Sequence, residues 1–106
     1  MTVEEAKAHA KTRLAAFGWD ESEFSNLEKL WEKESNWNYK AKNSKTGALG
    51  IPQLIGGDKV PNYENDYKVQ IEHGLDYIKN KKDKKGKPKY GSPTAAWKFH
   101  KANGWY

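Results

Sequence analysis

Residues 27–54, LEKLWEKESNWNYKAKNSKTGALGIPQL, hold the pattern around which this 106-residue chain is organised. Phe24, Leu27, Trp31 and Glu34 follow one another at spacings of three, four and three, so they share one face of a helix. An acidic residue therefore stands where an amphipathic helix would ordinarily place an apolar one. A glycine-rich stretch follows, and glycines let the backbone approach a ligand closely. The pattern predicts a carboxylate on an apolar helix face beside a loop that forms the wall of a cleft.

Glu34 is the strongest candidate for chemistry. An ionised carboxylate on an apolar face is costly, so burial is expected to raise its pKa. Its place in the last turn of the helix acts in the same direction, because the negative end of the helix dipole disfavours another negative charge. A carboxyl that stays protonated toward neutral pH is suited to general acid catalysis. The simpler alternative is a solvent-exposed Glu34, or one paired with a lysine.

Apolar spacing and terminal signals predict four amphipathic helices, at about residues 3–17, 21–35, 67–82 and 93–102. Thr2 and Glu5 fit a capping box at the first helix, Gly18 is expected to end it, and Ser92 followed by Pro93 is a typical start for the last. Residues 36–65, which we call the irregular segment, lack helical periodicity, and a loop of that length is more often functional than not. We expect one mainly α domain over residues 1–106.

Two local details are also predicted. Gly74 is expected to let a neighbouring element pack closely against the third helix. Trp105, which follows Gly104 at the end of the last helix, is expected to fold back onto that helix.

The composition narrows the class of protein. Only 36% of the residues are hydrophobic, so the core must depend on the five Trp, six Tyr and three Phe. The absence of cysteine excludes disulfides and cysteine-based zinc sites. His9, His73 and His100 show no metal-ligand spacing, so neither a metal nor a cofactor is expected.

No apolar run approaches the ~20 residues of a membrane span, and no signal peptide is seen. We therefore expect no membrane insertion, and a domain excised from a larger protein.

The basic charge is concentrated in one run. Lys79–Lys89, KNKKDKKGKPK, carries +6, which leaves −1 for the rest of a chain whose net charge is +5. A solvated mobile loop is the expected structure, and an anionic wall polymer is a candidate partner. Nucleic-acid recognition is not expected, because it favours basic residues interleaved with aromatic ones across a face.

Three short motifs occur in a characteristic order. Glu34-Ser35 follows a hydrophobic helix, GALGIPQ occupies residues 47–53, and Ala95-Ala96-Trp97 lies in the last helix. This order resembles the soluble lytic transglycosylase family, which shares the goose-type lysozyme-like fold. Residues 74–78 (GLDYI) and 104–106 (GWY) look like the variant found in bacteriophage tail tape-measure proteins and related secreted cell-wall enzymes. The resemblance covers about residues 27–106.

The resemblance implies a peptidoglycan lytic transglycosylase that cleaves the β-1,4 bond between N-acetylmuramic acid and N-acetylglucosamine. Glu34 would be the single catalytic acid, protonating the glycosidic oxygen and then acting as base on the muramoyl 6-hydroxyl to leave a 1,6-anhydro end. Ser35 would help orient the site, and Gln53 would contact the substrate. The place of action would be the bacterial cell wall, reached from outside the cell or from a virion. We expect a monomer as an isolated domain.

The third motif departs from the family pattern. Trp97 stands where the family usually has tyrosine, and Lys98 replaces an asparagine. The hydroxyl that often contacts the acid must then come from elsewhere, with Tyr77 as the candidate, or be absent. Trp97 and His100 lie one helical turn apart, so they are expected to line the same cleft and bind substrate.

Three alternatives stay open. A hydrolytic muramidase would need a second carboxylate at a defined separation, and Asp58 in the irregular segment is the best candidate. An inactive glycan-binding module is suggested by the departure at Trp97-Lys98. A nucleic-acid-binding domain would rest on Lys79–Lys89 alone.

Overall fold

The computed structural model describes residues 2–106. In that range the chain is mainly helical and forms no β-strand, which confirms the predicted mainly α class. The helices are α1 (Val3–Arg13), α2 (Phe24–Ser35), α3 (Tyr67–Asn80) and α4 (Pro93–Asn103). Short 3₁₀ turns lie at Leu14–Phe17, Glu21–Glu23 and Gly57–Lys59. Within residues 2–106, no helix has the length and apolar character needed to cross a membrane.

The helix ends follow the local signals, with small shifts. The Thr2 hydroxyl accepts a hydrogen bond from the Glu5 amide and the Glu5 carboxylate accepts one from the Thr2 amide, both at 3.0 Å, so the capping box is confirmed. The α-helix ends at Arg13, and a 3₁₀ turn continues to Gly18, which has a φ of +81°. Asp20 caps the 3₁₀ turn at Glu21–Glu23, so α2 itself begins three residues later than predicted.

The end of α2 redirects the chain sharply. Asn36 and Trp37 both adopt positive φ, at 55° and 59°, which bends the backbone back along the helix. The buried Trp37 ring lies 5.1 Å from the Trp31 ring, centroid to centroid, and its indole N–H donates to the Glu28 carbonyl at 3.1 Å. The segment after Glu34 is thereby packed against the helix that carries it.

The helices pair as α2 with α4 and α1 with α3. Gly74 on α3 touches Trp31 on α2, because a Cβ at this glycine would lie 2.6 Å from a carbon of the indole ring. The predicted close approach is therefore confirmed. The buried core draws on all four helices and on the irregular segment. It includes Ala6, Ala10, Leu14, Leu27, Leu30, Trp31, Trp37, Ile51, Ile71, Leu75, Ile78 and Ala96.

Gln70, a fully buried residue of α3, fastens the irregular segment. Its Oε1 accepts a hydrogen bond from the Ile51 amide at 2.8 Å. Its Nε2 donates to the carbonyls of Tyr39 at 2.9 Å and Tyr63 at 3.0 Å. One amide side chain thus satisfies buried backbone groups from three separate parts of the segment, which holds the segment in place without secondary structure of its own.

The lysine run forms a hydrogen-bonded turn, a local structure that the predicted solvated loop did not include, and its mobility stays a prediction. Lys82 and Pro88 form an antiparallel bridge, and Asp83 Oδ1 accepts from the amides of Lys85 and Lys87. The run stays exposed over residues 79–88. We call Lys79–Lys89 the lysine hairpin.

The chain beyond α4 packs back onto that helix. Trp105 lies edge-on to Phe99, with ring centroids 5.0 Å apart, so its predicted return is confirmed. Lys89 Nζ lies 4.4 Å from the Trp105 ring centroid and 4.5 Å from that of Phe99. The lysine hairpin and the segment after α4 are therefore in direct contact.

Candidate active site

Glu34 lies in the last turn of α2, on the face that buries Leu27, Leu30 and Trp31. Its side chain is 17% exposed. Burial raises its pKa to about 7, in the direction that the helix pattern predicted. This rise corresponds to a cost on the order of 3 kcal/mol when the group is ionised. Burying the two leucines stabilises the same helix face by about 2 kcal/mol each, which is enough to hold the carboxyl there.

The Glu34 carboxyl contacts His100 on α4, because Oε2 lies 3.0 Å from Nε2 of the imidazole. Burial lowers the pKa of His100, and the nearby Lys33 cation acts in the same direction. The carboxyl thus has a histidine as its partner, rather than the lysine of the simpler alternative. The two side chains come together because α2 packs along α4.

Glu34 opens onto a cleft of about 530 Å³, a volume typical of small-molecule sites. We call it the Glu34 cleft. One wall comes from the irregular segment and contains Asn43, Thr46, Ala48, Gln53, Leu54 and Ile55. The other lining residues come from α3 with its C-cap residue and from the chain after α4: His73, Tyr77, Lys81, Gly104, Trp105 and Tyr106. Among the residues that the structure describes, Glu34 is the only acidic one that lines this cleft.

Ser35 and Gln53 hold the irregular segment in place beside the end of α2. The Ser35 hydroxyl donates to the Ile51 carbonyl at 2.6 Å and so ties the end of α2 to the glycine-rich stretch. Gln53 adopts a positive φ of 53°, and its Nε2 donates to the carbonyls of Ala41 and Gly50. No residue in the described range donates a hydrogen bond to its amide oxygen, which is left available to a ligand in the cleft. Contact of Gln53 with substrate stays a prediction.

Tyr77 lines the cleft, but its hydroxyl is not directed at the acid. It donates to the Tyr106 carbonyl at 2.8 Å. Tyr106 is buried, and its hydroxyl accepts from the Trp31 indole at 2.9 Å and donates to the Pro52 carbonyl at 3.0 Å. Tyr106 therefore connects α2, the irregular segment and α3 at the floor of the cleft. The side chain that contacts the carboxyl is His100, and not the predicted Tyr77.

Trp97 and Asp58 lie outside the Glu34 cleft. The Trp97 ring stacks on His100 at 5.8 Å with an interplanar angle of 18°, and it borders a separate hollow with residues of α2. His100 contacts both Trp97 and the acid, but neither His100 nor Trp97 lines the Glu34 cleft, so the predicted shared cleft wall is not formed. Asp58 is exposed in the Gly57–Lys59 turn.

Several cleft residues carry no signal in the sequence. Asn43 and Thr46 look like ordinary loop residues, and His73 looks like an ordinary helix residue. Tyr106 occurs in a segment that the resemblance picks out, yet no spacing marks it as a support for the acid. These residues meet only because the irregular segment, α3 and the chain after α4 come together around the same cleft.

A second hollow, of about 570 Å³, lies between α1 and α3. Its carboxylates are engaged locally, since Glu72 pairs with Arg13 and Asp76 accepts a hydrogen bond from Asn80 at 2.8 Å. In residues 2–106 no three acidic or histidine side chains come together as metal ligands. The Glu34 cleft is therefore the place where a carboxyl with a raised pKa faces a cavity.

Comparison with known proteins adds no relative. No family model, no curated protein and no solved structure matches the chain. The geometry and chemistry of the Glu34 cleft, together with the motifs in the sequence, are therefore the basis for a function.

Proposed function

We propose that this protein is a peptidoglycan lytic transglycosylase with a goose-type lysozyme-like fold, and that Glu34 is its catalytic acid and base. One observation carries the proposal: a single carboxyl, with a pKa raised to about 7, faces a cleft in which no second described residue is acidic. Glycosidases that use water commonly employ two carboxylates. A reaction that recruits a hydroxyl of its own substrate needs only one.

The reaction proceeds in two proton transfers. Glu34 gives its proton to the glycosidic oxygen as the bond from that oxygen to C1 of N-acetylmuramic acid breaks. The resulting carboxylate then removes the proton from the 6-hydroxyl of the same sugar, and O6 bonds to C1. The 1,6-anhydro product forms, Glu34 is protonated again, and no water is consumed. A pKa near 7 suits both steps, because the group must be an adequate acid and its conjugate base an adequate base.

The cleft rim suits a glycan strand. Trp105 is 55% exposed and Ile55 is 74% exposed, and both line the Glu34 cleft. Exposed aromatic and aliphatic surface at a cleft is typical of a ligand-binding site. We place the sugar rings against Trp105 and Tyr77, with Gln53 turning its free amide oxygen toward substrate N–H or hydroxyl groups. Lys81, also in the cleft wall, can pair with a carboxylate of the muramoyl substituent.

A hydrolytic muramidase is the less favoured activity. It would need a second carboxylate to activate water on the far side of the sugar. Asp58, the candidate for this role, is exposed and lies outside the cleft. An inactive glycan-binding module would bind the same strands without cleaving them.

The deciding experiment is product analysis. Purified peptidoglycan is digested in ¹⁸O-water, and the fragments are examined by mass spectrometry. The expected products are unlabelled 1,6-anhydro ends from the wild type and no cleavage by Glu34→Gln. Glu32→Gln, on the exposed face of the same helix, is the charge-matched control and should cleave normally.

Two results would overturn the proposal. Reducing ends that carry ¹⁸O would make the protein a hydrolase. Glycan binding by the wild type without turnover would make it a binding module. The proposed place of action is the bacterial wall, reached from outside the cell or as part of a virion, with a phage tail protein as the parent.

A further inference from the structure

The contact between His100 and Glu34 is unusually well enclosed. The two side chains are only 12% and 17% exposed. The imidazole contacts two aromatic rings: Trp97 stacks on it at 5.8 Å, and the Tyr106 ring lies 6.4 Å away at an angle of 56°. These two contacts restrict the imidazole, whose Nε2 lies 3.0 Å from Oε2 of the acid.

The charges around the pair decide where its proton lies. The pair holds one titratable proton at mid-range pH, either on the carboxyl with a neutral imidazole or on the imidazole with a carboxylate. Burial disfavours the form with an imidazolium and a carboxylate, because both charges would lose solvation, relative to the form in which both groups are neutral. Lys33 on α2 further disfavours an imidazolium, and Tyr106, the titratable group that faces the pair from the chain after α4, is a neutral phenol. The neutral form is therefore favoured.

We propose that His100 is the positioning residue of the catalytic site. Its neutral imidazole holds the Glu34 carboxyl in place, and the titratable proton of the pair stays on the carboxyl. The catalytic part of this inference rests on the proposed function, whereas the location of the proton does not. When Glu34 gives up its proton, the imidazole remains next to the new carboxylate and keeps it directed at the 6-hydroxyl. His100 neither gains nor loses a proton in the cycle.

Titration of the imidazole tests the proton's location without any activity assay. The ¹⁵N and ¹³C shifts of His100 are followed by NMR from pH 4 to 9 in the wild type, in Glu34→Gln and in the control Glu32→Gln. In the wild type we expect the imidazole to protonate below the ordinary histidine value of about 6.5. A second, smaller shift change near the ionisation of Glu34 should also appear. The second change should vanish in Glu34→Gln and persist in Glu32→Gln.

Either of two outcomes would overturn this part. An imidazolium that persists above neutral pH in the wild type, and is lost in Glu34→Gln, would mean that the pair is ionic. Superimposable titration curves in the wild type and Glu34→Gln would mean that the two side chains do not interact in solution.

Kinetics test the positioning role. His100→Ala should lower kcat roughly 100-fold with little change in KM, because misplacing a reacting group by about 1 Å has an effect of that size. His100→Gln, which keeps an N–H near the carboxyl, should recover part of this loss. His9→Ala removes an imidazole remote from the cleft and should leave kcat unchanged. A wild-type kcat in His100→Ala would end the proposal, whereas an inactive wild type would refute the proposed function and leave the NMR result standing.

Discussion

Gly50 and Gln70 are in such close contact that the glycine has no room for a side chain. A Cβ at Gly50 would lie 2.4 Å from Oε1 of Gln70. The same amide oxygen accepts the hydrogen bond from Ile51, the residue whose carbonyl receives the Ser35 hydroxyl. A buried side chain of α3 therefore positions the part of the irregular segment that lines the Glu34 cleft.

This contact predicts the effect of Gly50→Ala. The backbone there has a φ of +73°, which alone costs an alanine roughly 1–2 kcal/mol. The clash with Gln70 adds to this cost, since displacing the amide leaves buried backbone groups unpaired at about 1–3 kcal/mol. We expect the free energy of unfolding, measured in urea, to fall by about 2–4 kcal/mol.

Gly47→Ala is the matched control. Gly47 has a similar φ of +80°, but no heavy atom beyond its two chain neighbours lies within 4 Å of the point that an added methyl carbon would occupy, so only the backbone cost applies. The difference between the two variants isolates the Gln70 contact. Equal destabilisation of both would show that this contact contributes nothing to stability.

The raised pKa of Glu34 predicts a pH-dependent stability. The folded carboxyl titrates near 7 and the unfolded one near 4.5, so the folded state holds one more proton between these values. Stability therefore falls as pH rises through this window. The penalty is absent below pH 4.5, complete above pH 7, and on the order of 3 kcal/mol.

Glu34→Gln removes this ionisation. Urea unfolding at pH 5 and pH 8 should show the variant gaining stability relative to the wild type as pH rises, while Glu32→Gln tracks the wild type. A constant difference between wild type and Glu34→Gln at both pH values would mean that Glu34 titrates normally.

Trp105 is expected to be a contact for the glycan. In the non-cleaving Glu34→Gln background, Trp105→Ala should weaken binding of a soluble muroglycan oligosaccharide roughly tenfold, equal to about 1.4 kcal/mol, because an aromatic face is lost from the cleft rim. Isothermal titration calorimetry measures the affinity. Trp97→Ala in the same background should bind as before, since Trp97 lies outside the cleft. The reverse result would favour the motif-based assignment of Trp97 as a substrate contact.

The lysine hairpin is expected to hold the protein on an anionic wall polymer. None of the ion pairs formed within residues 2–106 involves a lysine of the hairpin. Changing Lys82, Lys84, Lys85 and Lys87 to Gln should reduce retention on intact walls at low salt, and should leave cleavage of soluble glycan unchanged. Both effects follow because the charges are exposed and outside the cleft.

A control with the same charge change tests whether position matters. It replaces four exposed lysines elsewhere on the surface, Lys29, Lys59, Lys68 and Lys98. Equal loss of retention in both variants would show that retention depends on the net charge of the protein and not on the position of the hairpin. Walls stripped of anionic polymer should retain the wild type and the hairpin variant equally. Salt-sensitive binding of the wild type to DNA would instead support the nucleic-acid alternative.

The sequence by itself determined the local features. The capping box at Thr2, the cap at Ser92, the four helices and the place of Glu34 on an apolar face all depend on residues within one or two turns of each other. The raised pKa of Glu34 also followed, since burial was implied by its helix face. Where helix ends moved, as at Arg13 and Phe24, a 3₁₀ turn took the first or last turn of the predicted helix.

The tertiary structure alone decided what surrounds Glu34. His100 is 66 positions away in the chain, and only the packing of α2 against α4 brings it to 3.0 Å. The same packing places Trp97 behind His100, outside the cleft, although one helical turn had suggested a shared wall. Gln70 looked like one polar position on a helix, yet its amide organises a loop whose own residues show no periodicity. Spacing along the sequence reveals which side chains share one face of a helix. Contacts between different helices form only when the whole chain packs around its core.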